Sequence, residues 1–536
     1  MDKIDKWISA CTTTHTACSK SGHPYFKPTR LLDLGEVEEL ASGRRPPVRL
    51  INSAEHLRNP DISLRYLTLS HRWRRSKMPK LEKEKEMELR QAVSLRTLPK
   101  TFRHAIKLTR RLGIRYLWID SLCIFQDSQE DWLNEAAKMA DVYSNAYCNI
   151  SAASADNGGL FFSRSPNLVA TSIVRPQWPA ARNLDFTITN QLPELIREDL
   201  SAQPLFKRGW VLQERLLANR NLHFTKTQVL FECRHHLVCE TYPNGIPDPH
   251  GEICWKHKAH PSIHGVIDSY QESHYGESKS MLEWNRLVET YSTCDLTKTK
   301  DKLMALSGIA AHFMQIKMPG DQYLAGLWAS QLPSNLLWEP HKGARKQDEY
   351  TAPSWSWASI DGAISMARTE HHRGGNGAFY ADLTEIYDKV TTASGSLTGP
   401  VTAGRIRLFG VTAVAYLRGR NDRIYGVSKM KDRDSRNYGM WRPPEADTAI
   451  RLDFPLEERH NHADSEWQIP IVLIRYFTHL GRDDAIILCP GVDGLALRAL
   501  PDGMYMRIGT ILLVSQNIHQ LLDLLGYPEG RWIDLI

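Results

Sequence analysis

Residues 116–135 read YLWIDSLCIFQDSQEDWLNE: a short β-rich run closed by a carboxylate at Asp120, then a helix that opens around Asp131-Trp132 and carries Glu135. The order matters because open α/β sheets bind ligands in the crevice outside the carboxyl ends of their strands. Upstream, Pro99 stands near the start of a helix whose Phe102, Ala105, Ile106 and Thr109 share one face, with Arg103, Lys107 and Arg111 turned away. Gly113 is placed to stop it. Before that helix, Tyr66-Leu67-Thr68-Leu69-Ser70 is an apolar run that ends in His71 and Arg72 and reads as a first buried strand. After residue 143, Tyr147 to Ala153 makes a further strand. Strand, helix and strand at this spacing imply a parallel sheet with right-handed crossovers.

Working outward, the chain of 536 residues is too long for one ordinary core and is expected to divide into several domains. Residues 1–60 form a leader subdomain with a helix around Lys6 to Cys18, and the strand-helix pattern occupies 61–220. An extension over 221–398 holds helices within 282–330 and a Trp-rich strand. From 399 to 536, Val-, Ile- and Leu-rich runs separated by Gly, Pro and Asp turns read as a β-rich domain. Pro166 to Pro193 reads as an excursion, Asp301 as a helix N-cap, and Trp355 and Trp357 as alternating on one face of a strand in the core. The mixed-charge run from Arg74 to Arg90 is assigned no function.

Hydrophobic residues are 42% and charged residues 24%, as in a globular protein. The net charge of +6 is accounted for by scattered Lys and Arg, so no nucleic-acid partner is expected. Nine cysteines, an odd and thinly spread set, and an opening MDKIDKWISA without an apolar signal core point to a reduced, cytoplasmic protein. The longest apolar runs fall far short of the roughly 20 residues a bilayer crossing needs, so no membrane association is expected.

A 100° step per residue along the helix after Asp131 puts Trp132, Ala136, Met139 and Tyr143 on one stripe with Glu135 at its edge. Burial against an indole and aliphatic groups raises a carboxyl pKa and suits Glu135 to acid/base work or to stabilising a cation, with pairing to a nearby cation as the structural alternative. Ser70, His71 and Trp73 follow one strand, and Asp120 and Ser121 follow another, so in a parallel sheet the two groups converge on one rim. Cys123 sits in apolar Leu122-Cys123-Ile124 and reads as an inert thiol rather than a partner of His71. Cys11, His15 and Cys18 recur one helical turn apart and could give zinc three ligands, with Cys233 or Cys239 as a fourth, but without paired CxxC motifs no metal is assigned. Neither a GxxxxGK[ST] loop nor a GxGxxG turn after a strand is found, which disfavours an ATPase or a Rossmann dehydrogenase.

The segments YLTLSHRW, LPKTFRHAIKLTRRLGIRYLWIDSLCIFQDSQEDWLNEAAKMADVYSNAYCNISAA and RGWVLQERLL, in that order, closely resemble the fungal heterokaryon-incompatibility (HET) domain over about Tyr66 to Leu217. One departure is Arg74, where the family usually has Gly. The resemblance implies a cytosolic protein of fungal self/non-self recognition that acts as a cell-death effector in innate-immune signalling. Its partners would be other incompatibility or NLR-like proteins, or a further copy of itself on activation; a non-enzymatic interaction scaffold is the alternative. HET domains also look distantly like TIR domains, whose flavodoxin-like sheet can cleave NAD at the nicotinamide-ribose bond, with NAD as substrate and no resident cofactor. In TIR enzymes the catalytic Glu lies on a helix in a Trp-x-x-x-Glu or similar setting, which Trp132 and Glu135 approximate with one residue less, so the resemblance carries that role to Glu135. Ser70, His71, Trp73, Asp120, Ser121 and Trp132 would then line the nucleotide pocket, with Arg208 and Glu214 supporting it from the RGWVLQE block.

Overall fold

The computed structural model describes residues 2–19, 23, 25–36, 46–57, 64–73, 78–154, 159–165, 167, 169–174, 178, 186–189, 199–246, 279–366, 381–385, 390–392, 396–410, 412–418, 423–429, 448–453, 466–477, 480–482, 485–487, 491–514 and 531–536. Two compact units divide the chain, Met1–Ser269 and Tyr270–Ile536. Arg74 lies outside the described residues.

In the first unit, α1 (Asp2–Thr14) precedes β1 (Arg30–Asp33), β2 (Arg49–Asn52) and β3 (Tyr66–Ser70). Then come α2 (Lys100–Arg111), β4 (Tyr116–Trp118), the single-turn α3 (Asp120–Cys123), α4 (Gln129–Ser144) and β5 (Cys148–Ser151). A separate hairpin of β6 (Thr171–Val174) and β7 (Phe186–Thr189) interrupts the pattern, in line with an excursion between residues 166 and 193. The unit closes with α5 (Gly209–Leu217), β8 (Arg220–Phe224), β9 (Val229–Cys233) and β10 (Leu237–Cys239).

Eight strands form one sheet in the order β10-β9-β8-β5-β3-β4-β1-β2. The expected parallel pairing holds at its centre, where β3 pairs with β4 and β5, and β5 with β8. It does not hold at the margins: β1 and β2 join antiparallel beside β4, and β9 and β10 antiparallel beside β8. The leader strands and the strands after residue 220 thus extend the same sheet as the central four.

Those four appear in the chain as β3, β4, β5, β8 but in space as β4-β3-β5-β8, so the winding reverses between β3 and β5. A reversal leaves a crevice at the carboxyl ends of the two strands, because the crossovers on either side depart in opposite directions. Asn149 pins their register: it accepts from Thr68 Oγ1 at 2.9 Å and Ser70 Oγ at 3.2 Å, and donates to Asn221 Oδ1 at 3.0 Å, tying β3, β5 and β8 together inside the core.

The helices follow their sequence signals. In α2, Phe102, Ala105, Ile106, Leu108 and Thr109 are buried, and Gly113 ends the turn in the left-handed region at φ +67°. Helix α4 is capped by Ser128, whose side chain accepts from the Asp131 N–H, and buries Glu135, Ala136, Met139, Val142 and Tyr143.

The second unit holds α6 (Lys279–Ser292), α7 (Met304–Ile316) and a nine-stranded, largely antiparallel sheet built from strands between Ala381 and Leu535. Leu303, not Asp301, occupies the N-cap of α7; Asp301 belongs to a preceding 3-10 turn. Trp355 and Trp357 are fully buried, as expected, but not on a strand. Ser356 accepts from the Ala358 N–H at 3.0 Å and so caps a 3-10 turn over Trp357–Ser359, a local bond that outcompetes strand pairing. The Gly326 carbonyl accepts both the Trp284 and the Trp357 indole N–H at 3.0 Å. Gly326 itself has φ +101°, and a Cβ there would stand 2.5 Å from Trp357 Nε1. Far along the sequence, Arg507 lies buried over the Trp338 ring at 3.4 Å and pairs with Asp453 at 3.1 Å.

Candidate functional site

Ser70 ends β3 and His71 follows it, both buried at the strand's carboxyl end beside the winding reversal, and Trp73 follows two residues on. Asp120, just past β4, meets them from the side: Trp73 Nε1 donates to its Oδ2 at 2.6 Å, and His71 Nδ1 stands 3.6 Å from its Oδ1. The Ser121 N–H donates to Asp120 Oδ1 at 2.7 Å, fixing the carboxylate, while the Ser121 hydroxyl is buried without a hydrogen-bond partner. His71 is buried against the edge of Phe102 at 4.9 Å, and neither ring nitrogen makes a hydrogen bond. Burial, above all, pushes its pKa below the ordinary value, with the charge of Arg208 adding to the effect and Asp120 opposing it, so the ring is neutral.

Helix α5 packs at this strand end. Its N-cap residue Arg208 donates through Nη1 to the His71 carbonyl, which anchors the helix start to the strand end. Arg215 is held in a bidentate pair by Glu232 of β9 at 2.7 and 2.8 Å, which sets the rotation of the helix. With that rotation Glu214, 4% exposed, comes within hydrogen-bonding reach of the Ser70 and Tyr143 hydroxyls and within the fields of Arg208 and Asp120. Burial pushes the Glu214 carboxyl up from 4.5 to about 7; the Asp120 charge adds to the rise, and Arg208, Ser70 and Tyr143 oppose it. The pKa therefore sits where a proton-handling or cation-stabilising group works best near neutrality.

Glu135 is buried as its helical phase predicts, at 3% exposed, but among other partners. It accepts from Thr29 Oγ1 at 2.7 Å and Lys138 Nζ at 3.0 Å, on the side of α4 that meets the approach to β1. Asp131 on the same helix pairs with Arg30 and reinforces that seam. Trp132 packs edge-on against Trp210 of α5, with ring centroids 6.1 Å apart, and so braces the crevice helix. The structure brings together Ser70, His71, Trp73, Asp120, Arg208 and Glu214, with Tyr143 as a member the sequence reading did not single out. Cys123 is buried, and its thiol is pushed up to about 12 by burial, as an inert cysteine should be.

One signal for Glu214 stood in the sequence. Trp210-Val211-Leu212-Gln213-Glu214 is a Trp-x-x-x-Glu spacing without the missing residue that Trp132 and Glu135 require. It sits on the helix that follows the third central strand, directly beside the winding reversal.

Fold and crevice together define an α/β domain wound in both directions about a polar site of two carboxylates, a neutral histidine and an arginine. Residues 66–214 match the family model described as Heterokaryon incompatibility protein (HET), and the chain carries a HET domain there. The match begins with β3 and ends on Glu214, so it encloses the whole crevice group, and it supports a role in heterokaryon incompatibility. Among curated proteins and solved structures nothing matches the chain. Among the described residues, no helix is long and apolar enough to cross a membrane.

Proposed function

We propose that the HET domain is a latent cell-death effector that cleaves the nicotinamide-ribose bond of NAD, with Glu214 rather than Glu135 as the catalytic carboxylate. The observation that carries this reading is the placement of Glu214: a buried carboxyl with a pKa of about 7, beside Ser70 and Asp120 at the winding reversal. A cationic nicotinamide ring bound against it would favour the ionised form, since an opposite charge lowers a carboxyl pKa. As the glycosidic bond breaks, its electron pair passes to the nicotinamide nitrogen, and positive charge develops on the ribose. The Glu214 carboxylate stabilises that cation, water then bonds to the anomeric carbon, and its proton leaves to Glu214 or solvent.

Asp120 keeps spare acceptor capacity for a ribose hydroxyl, and Trp73, held by its hydrogen bond to Asp120, supplies a ring for stacking. The low exposure of Ser70, His71 and Glu214 means that substrate entry requires the crevice to open. Self-association, or binding of another incompatibility or NLR-like protein, is the proposed opener.

The test is nicotinamide release from NAD by concentrated full-length protein. Wild type and Glu135→Gln should turn over, while Glu214→Gln should lose about 10²- to 10³-fold. Equal turnover by Glu214→Gln and wild type would remove Glu214 from the mechanism. The same closure favours a second reading, a non-enzymatic scaffold, and toxicity on overexpression that survives Glu214→Gln with cellular NAD unchanged would support it.

A further inference from the structure

Four ligating side chains from the start of the first unit's chain and from β9 meet. Cys11 lies on α1, His15 directly after it, Cys18 in the next turn, and Cys233 at the end of β9. All four are buried, and their ligand atoms lie within 4.8 Å of one another. Cys233 Sγ is 3.5 Å from His15 Nδ1. A tetrahedral zinc with bonds of about 2.3 Å to sulfur and 2.0–2.1 Å to nitrogen sets its ligand atoms roughly 3.4–3.8 Å apart, so small side-chain movements suffice to close the shell.

The surroundings suit a metal-bound thiolate cluster better than three neutral thiols. The backbone N–H groups of His235 and His236 point at Cys233 Sγ at 3.4 and 3.5 Å. Arg220 directs Nε at Cys11 Sγ at 3.2 Å and Nη2 at the Cys18 carbonyl at 3.3 Å. Three thiolates around a divalent ion leave one excess negative charge, which this guanidinium balances, and N–H donors to sulfur are the usual outer support of such ligands. The His15 ring is held by stacking on His235, with centroids 4.3 Å apart and planes 9° from parallel.

We infer that Cys11, His15, Cys18 and Cys233 form a structural zinc site that fastens the N-terminal helix to the sheet margin. With all four positions filled by protein the site is closed, which assigns it to folding rather than to catalysis. Helix α1 already docks there through Trp7, whose Nε1 donates to the Pro243 carbonyl at 3.0 Å and whose ring stacks on Phe231. The metal locks a contact that packing alone makes reversible. Cys239, the other sequence candidate for the fourth ligand, instead accepts from the Tyr242 N–H at 3.3 Å and stands outside the group.

The experiment uses full-length protein produced in zinc-supplemented medium and dialysed against metal-free buffer. Metal analysis should find about one zinc per chain, released as a mercurial reagent titrates the thiols. Cobalt exchanged into the wild-type protein should give thiolate charge-transfer absorption and the intense visible bands of a tetrahedral ion. Cys18→Ser and Cys233→Ser should each weaken zinc retention at least tenfold, whereas Cys239→Ser should keep it. Wild-type protein that stays below about a tenth of a zinc per chain in excess metal, or a cobalt spectrum without thiolate bands, overturns the inference without recourse to any variant.

Discussion

Replacing Glu214 by Gln should raise stability and, on the proposed function, lower turnover by about 10²- to 10³-fold, and the size of the first effect follows from the burial of the carboxyl. The folded carboxyl holds its proton up to about pH 7, whereas its ordinary value is 4.5. Between those limits the native state binds more protons at this position than the unfolded chain, so stability falls as the pH rises. The contribution is complete below about pH 4.5 and is lost by about pH 7; the gap of about 2.5 units corresponds to about 3 kcal/mol at 1.36 kcal/mol per unit. Gln keeps the shape and cannot ionise, so the variant matches wild type near pH 4 and exceeds it by about 3 kcal/mol at pH 8. Subtracting one curve from the other cancels the titration of neighbours such as His71, whose lowered pKa costs stability in the opposite direction, as pH falls below its ordinary 6.5. Native-state hydrogen exchange of the β3 and β5 amides, measured from pH 4 to pH 8 with intrinsic exchange rates divided out, reads the first unit alone. Parallel profiles for the two proteins would refute the argument, because they would mean that Glu214 ionises as freely when folded as when unfolded. A stabilised but inactive variant is the signature of a group kept at a cost for function.

Glu135→Ala should lower first-unit stability by about 1–3 kcal/mol, as Thr29 and Lys138 lose a buried acceptor, while leaving nicotinamide release within about twofold; denaturant unfolding and the turnover assay check the two halves. Asp453→Ala should destabilise the second unit by about 3–5 kcal/mol, because it strands the Arg507 guanidinium against Trp338 without its carboxylate, and a shift in that unit's urea midpoint would show it. Gly326→Ala should disturb the paired indoles of Trp284 and Trp357 through its Cβ and its strained φ, costing about 1–3 kcal/mol and red-shifting tryptophan emission relative to wild type.

Local pattern carried far into the fold and stopped at pairing. The phase of α2, the stop at Gly113 and the strand end before Asp120 were all legible, because each depends on residues within a turn or two. The antiparallel margins were not, since nothing in Arg30–Asp33 or Val229–Cys233 specifies which neighbour supplies the hydrogen bonds. The same limit governed the choice between carboxylates. Helical phase correctly buries Glu135, but whether a buried acid faces Thr29 and Lys138 or Ser70 and Tyr143 is decided by chain segments far away. Glu214 was legible as a supporting residue of the RGWVLQE block, but its place beside Ser70 and Tyr143 was not, because the Arg215 pair with Glu232 of β9 holds its helix. At Trp355 and Trp357 the alternation was real and its interpretation wrong, because one Ser hydroxyl cap turns the chain where periodicity alone suggests extension.

The order in which the crevice is assembled bears on synthesis. Ser70 and Asp120 leave the ribosome early, but the helix bearing Glu214 is oriented by Glu232, and Cys11 meets its partner only at Cys233. A nascent or truncated chain that stops before β9 therefore lacks both the oriented carboxylate and the anchor for its first helix. The polar group at the carboxyl end of β3 is therefore complete only once the last strands of the first sheet are in place.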